Sequence, residues 1–290
     1  MKIAVTAATG RLGKVTLQQL RNRVPEDDVV AIAREPARVD MRGIDKRPGD
    51  YEAAEQMRAA FEGIDTVVMI SAPVAGGGDR LHMHRRVIDA AVQAGVRKLI
   101  YTSVIGNELA EGTYFEPFYR VNHDTEEYLK ASGLTWVIAR NGLYLDLDLI
   151  HIRHADQHGG VYRNNAGEGR CGYISIAELG FALARLAVVD DCDGMAVNLF
   201  GELYTQAELI AMANEACGLS VRYEAISLED NVARFMRDER IAARGEDVAK
   251  MLSGCFQCME KGAYEVASHF ERAAGRPAHP VPQQLAELCA

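Results

Sequence analysis

The stretch TAATGRLG, Thr6 to Gly13, follows a short apolar run and precedes a run with helical spacing. Such a turn can hold a diphosphate. The first N–H groups of a helix lack intrahelical partners, and the helix dipole is positive at that end. Glycines serve three places there: the tight bend, the approach of backbone to phosphate, and the packing of helix on strand. Here the spacing is Ala7-x-x-Gly10-x-x-Gly13. Gly10 and Gly13 fill the second and third places. Ala7 stands in the first, where the smallest side chain serves provided its φ stays negative. An ordinary glycine-bearing strand–helix turn is the alternative. The next apolar run, Asp28 to Arg34, ends in arginine and has no acid after Asp28. At that place an acid suits a free ribose 2′-hydroxyl, whereas an arginine suits a 2′-phosphate. Arg34, with Arg11 as a second cation, therefore points to NADP(H) over NAD(H). A solvated charge at a strand end is the bland reading.

Other reactive residues point to less. Cys255 and Cys258 have C-x-x-C spacing, but zinc needs two further ligands and no second pair exists. They also follow a helical run rather than a strand, which disfavours a thioredoxin-like role. They read as two buried or half-exposed thiols, with a stress-induced disulfide as the alternative. His82 and His84 lie two apart and face different ways on a helix. His151, His154, Asp156 and His158 are near in sequence and read as polar surface or as part of a substrate lobe. No metal site is expected. Asp146 and Asp148 alternate with leucines and are expected to face solvent or a cleft. Gly76 to Gly78 read as a loop over the cofactor or as a plain connector.

These residues need elements to position them. The first half alternates strand-like runs (Lys2–Ala7, Asp28–Arg34, Thr66–Ala72, Lys98–Val104, Thr135–Arg140) with helical ones. Leu12, Thr16, Leu20 and Val24 share one helical face, as do Leu81, His84, Ile88 and Val92. Strands apolar throughout, alternating with helices, imply a parallel sheet covered on both faces. The expected class is α/β, a doubly wound parallel sheet of Rossmann type with a smaller C-terminal α/β lobe. Ligands then sit beyond the C-terminal strand ends. The expected division is 1–150 for the nucleotide domain and 151–290 for the smaller lobe, with 175–200 returning to the first. Ser175 to Glu178 and Thr205 to Glu208 have capping-box spacing before helices.

The 290 residues suffice for a sizeable core, and 48% hydrophobic with 25% charged is ordinary for a globular chain. A formal charge of −9 argues against a non-specific grip on nucleic acid or an anionic membrane. No apolar run approaches the roughly 18 residues of a membrane span. The N-terminal apolar run is too short for a signal peptide. The six cysteines show no dense framework, so a cytoplasmic, reducing location is expected.

Several segments follow one another in a familiar order: TAATGRLG, VVAIAREPA, GDYE, VVMISAP, LIYTSV, NHDTEEYLKASGLTWVIARNGLY and GELYTQAELIAMA. The chain resembles the NmrA-like, atypical short-chain dehydrogenase/reductase family, on its bacterial NAD(P)H:quinone oxidoreductase and triphenylmethane reductase branch. The resemblance implies an NADP-binding Rossmann domain with the active site in a cleft against the small lobe. It implies that Thr6, Thr9, Gly10, Arg11, Leu12 and Gly13 line the diphosphate and that Arg34 holds the 2′-phosphate. It places Asp50 and Tyr51 at the adenine, and Ser71, Ala72 and Pro73 along the middle of the cofactor. Thr102 and Ser103 fall near the nicotinamide ribose. Asn141, Gly142 and Tyr144 fall at the nicotinamide end and the cleft wall.

One departure stands out. Many short-chain dehydrogenases use a Tyr-x-x-x-Lys pair in which Lys holds the ribose and lowers the Tyr pKa. Anchored on Thr125-Glu126, the Lys place falls on Asn122 and the Tyr place on Phe118. A shift of one gives Tyr119-x-x-x-His123. The chemistry that tolerates this loss is hydride delivery to a quinone or similar planar conjugated acceptor, whose anionic product takes protons from solvent. The expected activity is an NADPH-dependent oxidoreductase, with Asn122, His123, Tyr119, Asn141 and Tyr144 as candidate catalytic residues. The expected substrate is a small planar organic molecule, and a homodimer or a protein partner is left open. The alternative is a non-catalytic NADP(H)-binding redox sensor.

Overall fold

A computed structural model describes residues 1–73 and 79–290. The expected glycine loop, Gly76 to Gly78, lies outside the described residues. In chain order the strands are β1 (Ile3–Val5), β2 (Val29–Ala33), β3 (Asp45–Pro48), β4 (Thr66–Met69), β5 (Lys98–Val104), β6 (Thr135–Asn141), β7 (Leu143–Tyr144), β8 (Val161–Asn164), β9 (Arg170–Ile174), β10 (Met195–Leu199), β11 (Leu203–Thr205) and β12 (Arg222–Ala225). The helices are α1 (Arg11–Arg21), α2 (Ala54–Ala60), α3 (Arg80–Gln93), α4 (Glu116–Lys130), α5 (Leu145–Gln157), α6 (Ile176–Leu186), α7 (Gln206–Cys217), α8 (Leu228–Met236), α9 (Glu239–Ala242), α10 (Glu246–Glu260), α11 (Phe270–Ala274) and α12 (Val281–Cys289).

The main sheet runs β10-β6-β5-β4-β1-β2-β3, and each neighbouring pair is parallel. Its strands alternate between two cores. Val29 and Ala31 face a core shared with Leu12, Leu17 and Leu20 of α1 and Leu179 and Leu183 of α6. Val30 and Ile32 face the other, with Met57 of α2, Val87 and Ile88 of α3 and Leu129 of α4. Burial on both faces is why these strands are apolar throughout. This is the expected doubly wound, Rossmann-like sheet. Strand order reverses at β1, which has β2 on one side and β4 on the other. The turn after β1 therefore opens into the crevice where such sheets bind ligands.

Two helical readings shift. α1 ends at Arg21, so Val24 lies beyond it. Val92 is exposed, while His84 and Ile88 are buried on α3. Gly95, Gly133 and Gly218 follow α3, α4 and α7 with positive φ, as helix-ending glycines do. Ser175 caps α6, but Glu178 leaves the box to meet Arg276 at 2.6 Å. Thr205 and Glu208 complete the second box.

The smaller sheets are β11-β9-β7 and β12-β8. The Leu–Asp alternation near residue 146 is helical in fact, part of α5. Leu145, Leu149 and Ile152 form its buried face. Asp146 does not face solvent freely, because it accepts from the Ile176 N–H at 2.8 Å. Asp148 is half-buried, and the loss of water around its carboxyl pushes its pKa up to about 7. The cysteine pattern suggested no pairing, yet Cys217 and Cys289 form a disulfide between α7 and α12, Cα atoms 5.6 Å apart. Cys255 and Cys258 sit in the last turns of α10, and burial pushes both thiols up, away from the reactive thiolate. No described helix is long and apolar enough to cross a membrane.

Candidate dinucleotide site and cleft

After β1 the chain bends so that the Gly10 N–H donates to the Ala7 carbonyl at 2.9 Å. The Ala8 N–H donates to the Ile32 carbonyl at 3.0 Å and ties the turn to β2. The expectation of negative φ at Ala7 is wrong. Its φ is +48°, and it is the one non-glycine with positive φ among the described residues. The bend demands the left-handed conformation, and alanine adopts it at a cost of about 1 kcal/mol. Gly13 is fixed by space. A Cβ there would stand 2.6 Å from the Ala7 carbonyl oxygen and 3.0 Å from the Ala8 Cα. Gly10 caps α1 without a side chain. The N–H groups of Arg11, Leu12 and Gly13 thus open the helix with no side-chain acceptor over them. This uncapped, glycine-lined start fits a diphosphate.

The neighbouring strand ends complete a track. Arg34 is the first residue after β2 and is exposed. The adjacent acid, Glu35, is engaged with Arg38 at 3.1 Å. Arg11 is exposed at the head of α1. Thr9 is half-buried in the turn. Thr6 is turned inward: its hydroxyl bonds the Tyr51 hydroxyl and accepts from the Ile70 N–H at 3.0 Å. Tyr51 donates to the Ile70 carbonyl at 2.6 Å, and burial pushes its phenol pKa up. Thr6, Tyr51 and Ile70 therefore lock β1 to β4. Asp50, half-buried, accepts from the Glu52 N–H at 3.1 Å.

Beyond β4, the Ser71 N–H donates to Thr102 Oγ1 at 2.9 Å, and the Ala72 N–H donates to His84 Nε2 at 2.9 Å. Pro73 is exposed. Because His84 Nε2 accepts, its proton sits on Nδ1, which faces Thr125 Oγ1 at 2.9 Å. Burial, aided by Arg80, drives the His84 pKa down to about 3 and keeps the ring neutral. Ser103 donates to Glu126 Oε1 at 2.6 Å, and Arg140 Nε meets the same oxygen at 2.9 Å.

The residues expected at the cleft lie on α4, β6 and β7. Asn122 is buried and committed: Nδ2 donates to the Phe118 carbonyl at 2.8 Å. Oδ1 accepts from the Tyr101 hydroxyl at 3.0 Å and from Arg80 Nη2 at 3.2 Å. Phe118 lies under the Arg80 guanidinium, 4.5 Å from carbon to ring centre. Tyr119 packs on Gly106, where a Cβ would come within 2.6 Å of its ring. His123 is exposed, its ring 3.9 Å from the Asp124 carboxylate. No hydrogen bond joins Tyr119 to His123 in the described structure. Asn141 Nδ2 donates to the Tyr144 hydroxyl at 3.0 Å, while its Oδ1 is buried without a partner among the described residues. That orphan acceptor also fits a ligand. Gly142 lets the chain pass within 2.6 Å of the Gly172 carbonyl, counted from an added Cβ.

Three residues that bond to the expected site residues were not singled out from sequence: Arg80, Tyr101 and, in its buried role, His84. Arg80 reads in sequence as one more surface charge at a helix start. The histidines around residue 154 do not converge: His154 and His158 stack with centroids 4.0 Å apart, and Asp156 accepts from the Ser220 N–H at 2.8 Å. Among the described residues no three His, Cys, Asp or Glu side chains are grouped to hold a metal. A cavity of about 660 Å³, lined by Phe200, Tyr204, His269 and Pro280 among others, shares no residue with this track.

The profile of an NAD(P)H-binding family matches residues 7–166. Quinone oxidoreductase 2 of Escherichia coli is 31% identical over 235 residues, covering 80% of each chain. The chain belongs to the NAD(P)H-binding, NmrA-like family. An E. coli NADPH-dependent quinone oxidoreductase, solved with NADPH, matches 99% of this chain and 100% of its own, with a TM-score of 0.86 at 28% identity. The triphenylmethane reductase of Citrobacter sp. matches 100% and 99%, with a TM-score of 0.87 at 25% identity. These fall on the branch that the motifs resemble. As a family member of this branch, the chain is an NAD(P)H-dependent oxidoreductase.

Proposed function

We propose that the chain uses NADPH to reduce a quinone or a similar planar conjugated acceptor. The observation that carries this reading is the state of Asn122 and Phe118. Where a proton-relaying Tyr and Lys would stand, one side chain is apolar and the other is spent on internal hydrogen bonds. A ketone reduced to an alcohol needs a proton at its oxygen as hydride arrives. A quinone does not, because its reduced anion is stable and takes a proton from water later. NADPH, when bound, supplies the hydride. The chain's own work is to hold, orient and exclude water. The glycine turn and the open start of α1 hold the diphosphate. Arg34 and Arg11 complement a 2′-phosphate, which supports NADP over NAD. Asn141 and Tyr144 form the wall at the reacting end. The names of the relatives support the acceptor class.

Stopped-flow mixing of the NADPH-loaded protein with a small benzoquinone tests this. The expected result is NADPH oxidation well above the uncatalysed rate. Tight NADPH binding with no oxidation across several quinones and dyes would overturn it. That outcome would favour the cofactor-sensing reading, to which the missing relay pair also lends itself.

A further inference from the structure

Among the described residues, Arg80 is a cation without a counter-ion. Its Nε donates to the Ala72 carbonyl at 2.8 Å and its Nη2 to Asn122 Oδ1 at 3.2 Å, both neutral acceptors. Its flat face covers Phe118. Its Nη1 is buried and has no partner among the described residues. No described carboxylate forms an ion pair with it, and the undescribed residues 74–78 (VAGGG) contain no acid. Burial pulls the Arg80 pKa down, while the nearby Tyr101 and Tyr144 phenols push it up. An arginine still stays charged in any protein setting. A buried, uncompensated charge is costly, and such a group persists where something negative arrives to face it.

Its place shows what arrives. Arg80 opens α3 beyond the C-terminal end of β4, bonded to the Ala72 carbonyl and to Asn122 of α4. The diphosphate turn and Arg34 lie on the β1–β2 side. We propose that Arg80 Nη1 is the oxyanion donor of this cleft, binding the acceptor oxygen that becomes negative on reduction. With NADPH bound, its hydride would add to the acceptor, leaving NADP⁺, and the acceptor oxygen would take the displaced electron pair. The resulting anion faces Arg80, and a proton from water neutralises it. Donors already fixed where charge develops stabilise a transition state without reorganisation. Arg80 is so fixed, because two hydrogen bonds and a ring hold its plane. The inference rests on the hydride-acceptor reading for the identity of the anion.

The probe is 4-nitrophenolate, whose visible band reports its charge, titrated into NADP⁺-loaded protein. Wild type is expected to bind it as the anion. Arg80→Met is expected to weaken that binding by about tenfold or more, the loss of a hydrogen bond to a charged group. Arg80→Lys should recover part of it, and NADP⁺ affinity should stay within about twofold of wild type, since no phosphate contact is removed. Circular dichroism checks the fold, and Arg80→Gln carries the comparison if the Met variant does not fold. Equal phenolate binding by wild type and Arg80→Met would overturn the proposal, as would no binding by wild type. A large loss of NADP⁺ affinity in Arg80→Met would also overturn it, assigning the cation to the cofactor's phosphates. If wild type reduces no quinone yet binds the phenolate through Arg80, the acceptor reading fails and the oxyanion site stands.

Discussion

At the scale of one side chain, the proposed choice of cofactor rests on Arg34. It is exposed at the end of β2, and the acid beside it is engaged with Arg38. Arg34→Ala should weaken NADPH binding by about tenfold or more, one charged hydrogen-bonding partner lost, and leave NADH binding nearly unchanged. Fluorescence titration with both cofactors checks this, and equal binding of both by wild type would refute the assignment. Ala7 makes a different prediction. Its φ of +48° strains a residue that a glycine would relax. Ala7→Gly should therefore raise stability by up to about 0.5 kcal/mol, the strain relieved less the entropy of a freer unfolded chain. Urea melts would show it, and NADPH affinity should be kept. The places of Gly10 at the helix start, of Gly13 packed on the turn and of Arg34 at the end of β2 were legible in sequence, because each lies at a fixed distance from a strand. The φ of Ala7 was not, since spacing says nothing of the bend angle. Nor was Arg80, whose meaning comes from Phe118 and Asn122, about forty residues further along.

Elements α3, α4, β5 and β6 are clamped by polar pairs rather than by packing alone. His84 joins α3 to the chain after β4 and to Thr125 on α4. Glu126 on α4 joins Ser103 on β5 and Arg140 on β6. Glu126 is nearly fully buried, so Glu126→Ala leaves Arg140 uncompensated and should cost about 3 kcal/mol. Denaturant unfolding measures that, and a loss under 1 kcal/mol would show the pair to be dispensable. On α5, Asp148 carries a pH dependence. Its folded-state pKa, about 7, lies above the ordinary carboxyl value, so the native state holds its proton longer than the unfolded chain does. Stability from this group is full at low pH and falls as pH rises through about 7. Asp148→Asn should match wild type near pH 4 and exceed it at pH 8. Calorimetry across that range checks the crossing. The strands and helices of the main sheet were legible because two-sided burial makes them uniformly apolar. On α5 the alternation with leucines suggested that Asp146 and Asp148 face outward, but residues two apart on a helix face different ways, so Leu147 is exposed and Asp146 reaches the Ile176 N–H.

At the scale of the whole chain, the part after α5 was the least legible. β8 pairs with β12, Val161 against Arg222, across a long stretch of intervening chain, and neither strand alternates cleanly. Buried polar bonds between Asn164 and Gln206 and between Asn165 and Asn231 hold this part together in place of a purely apolar seam. The disulfide adds a long-range tie that sequence left unseen. Cys217 ends α7 and Cys289 ends α12, 72 residues apart. The two helices also pack directly, with Leu209 and Ala213 sharing a core with Val281 and Leu285. Packing alone therefore keeps α12 docked when the bond is open, and the bond acts mainly on the unfolded chain. A loop of this length is worth about 2–4 kcal/mol. Cys217→Ser should lose that stability, and dithiothreitol should lower the melting temperature of wild type but not of the variant. The turn, Arg34 and the cleft residues all precede position 145, far from this tie in the chain. NADPH affinity should therefore be the same in Cys217→Ser as in wild type. A melting temperature indifferent to dithiothreitol would show that the thiols stay reduced in solution. A parallel loss of NADPH affinity would show instead that α12 supports the cleft.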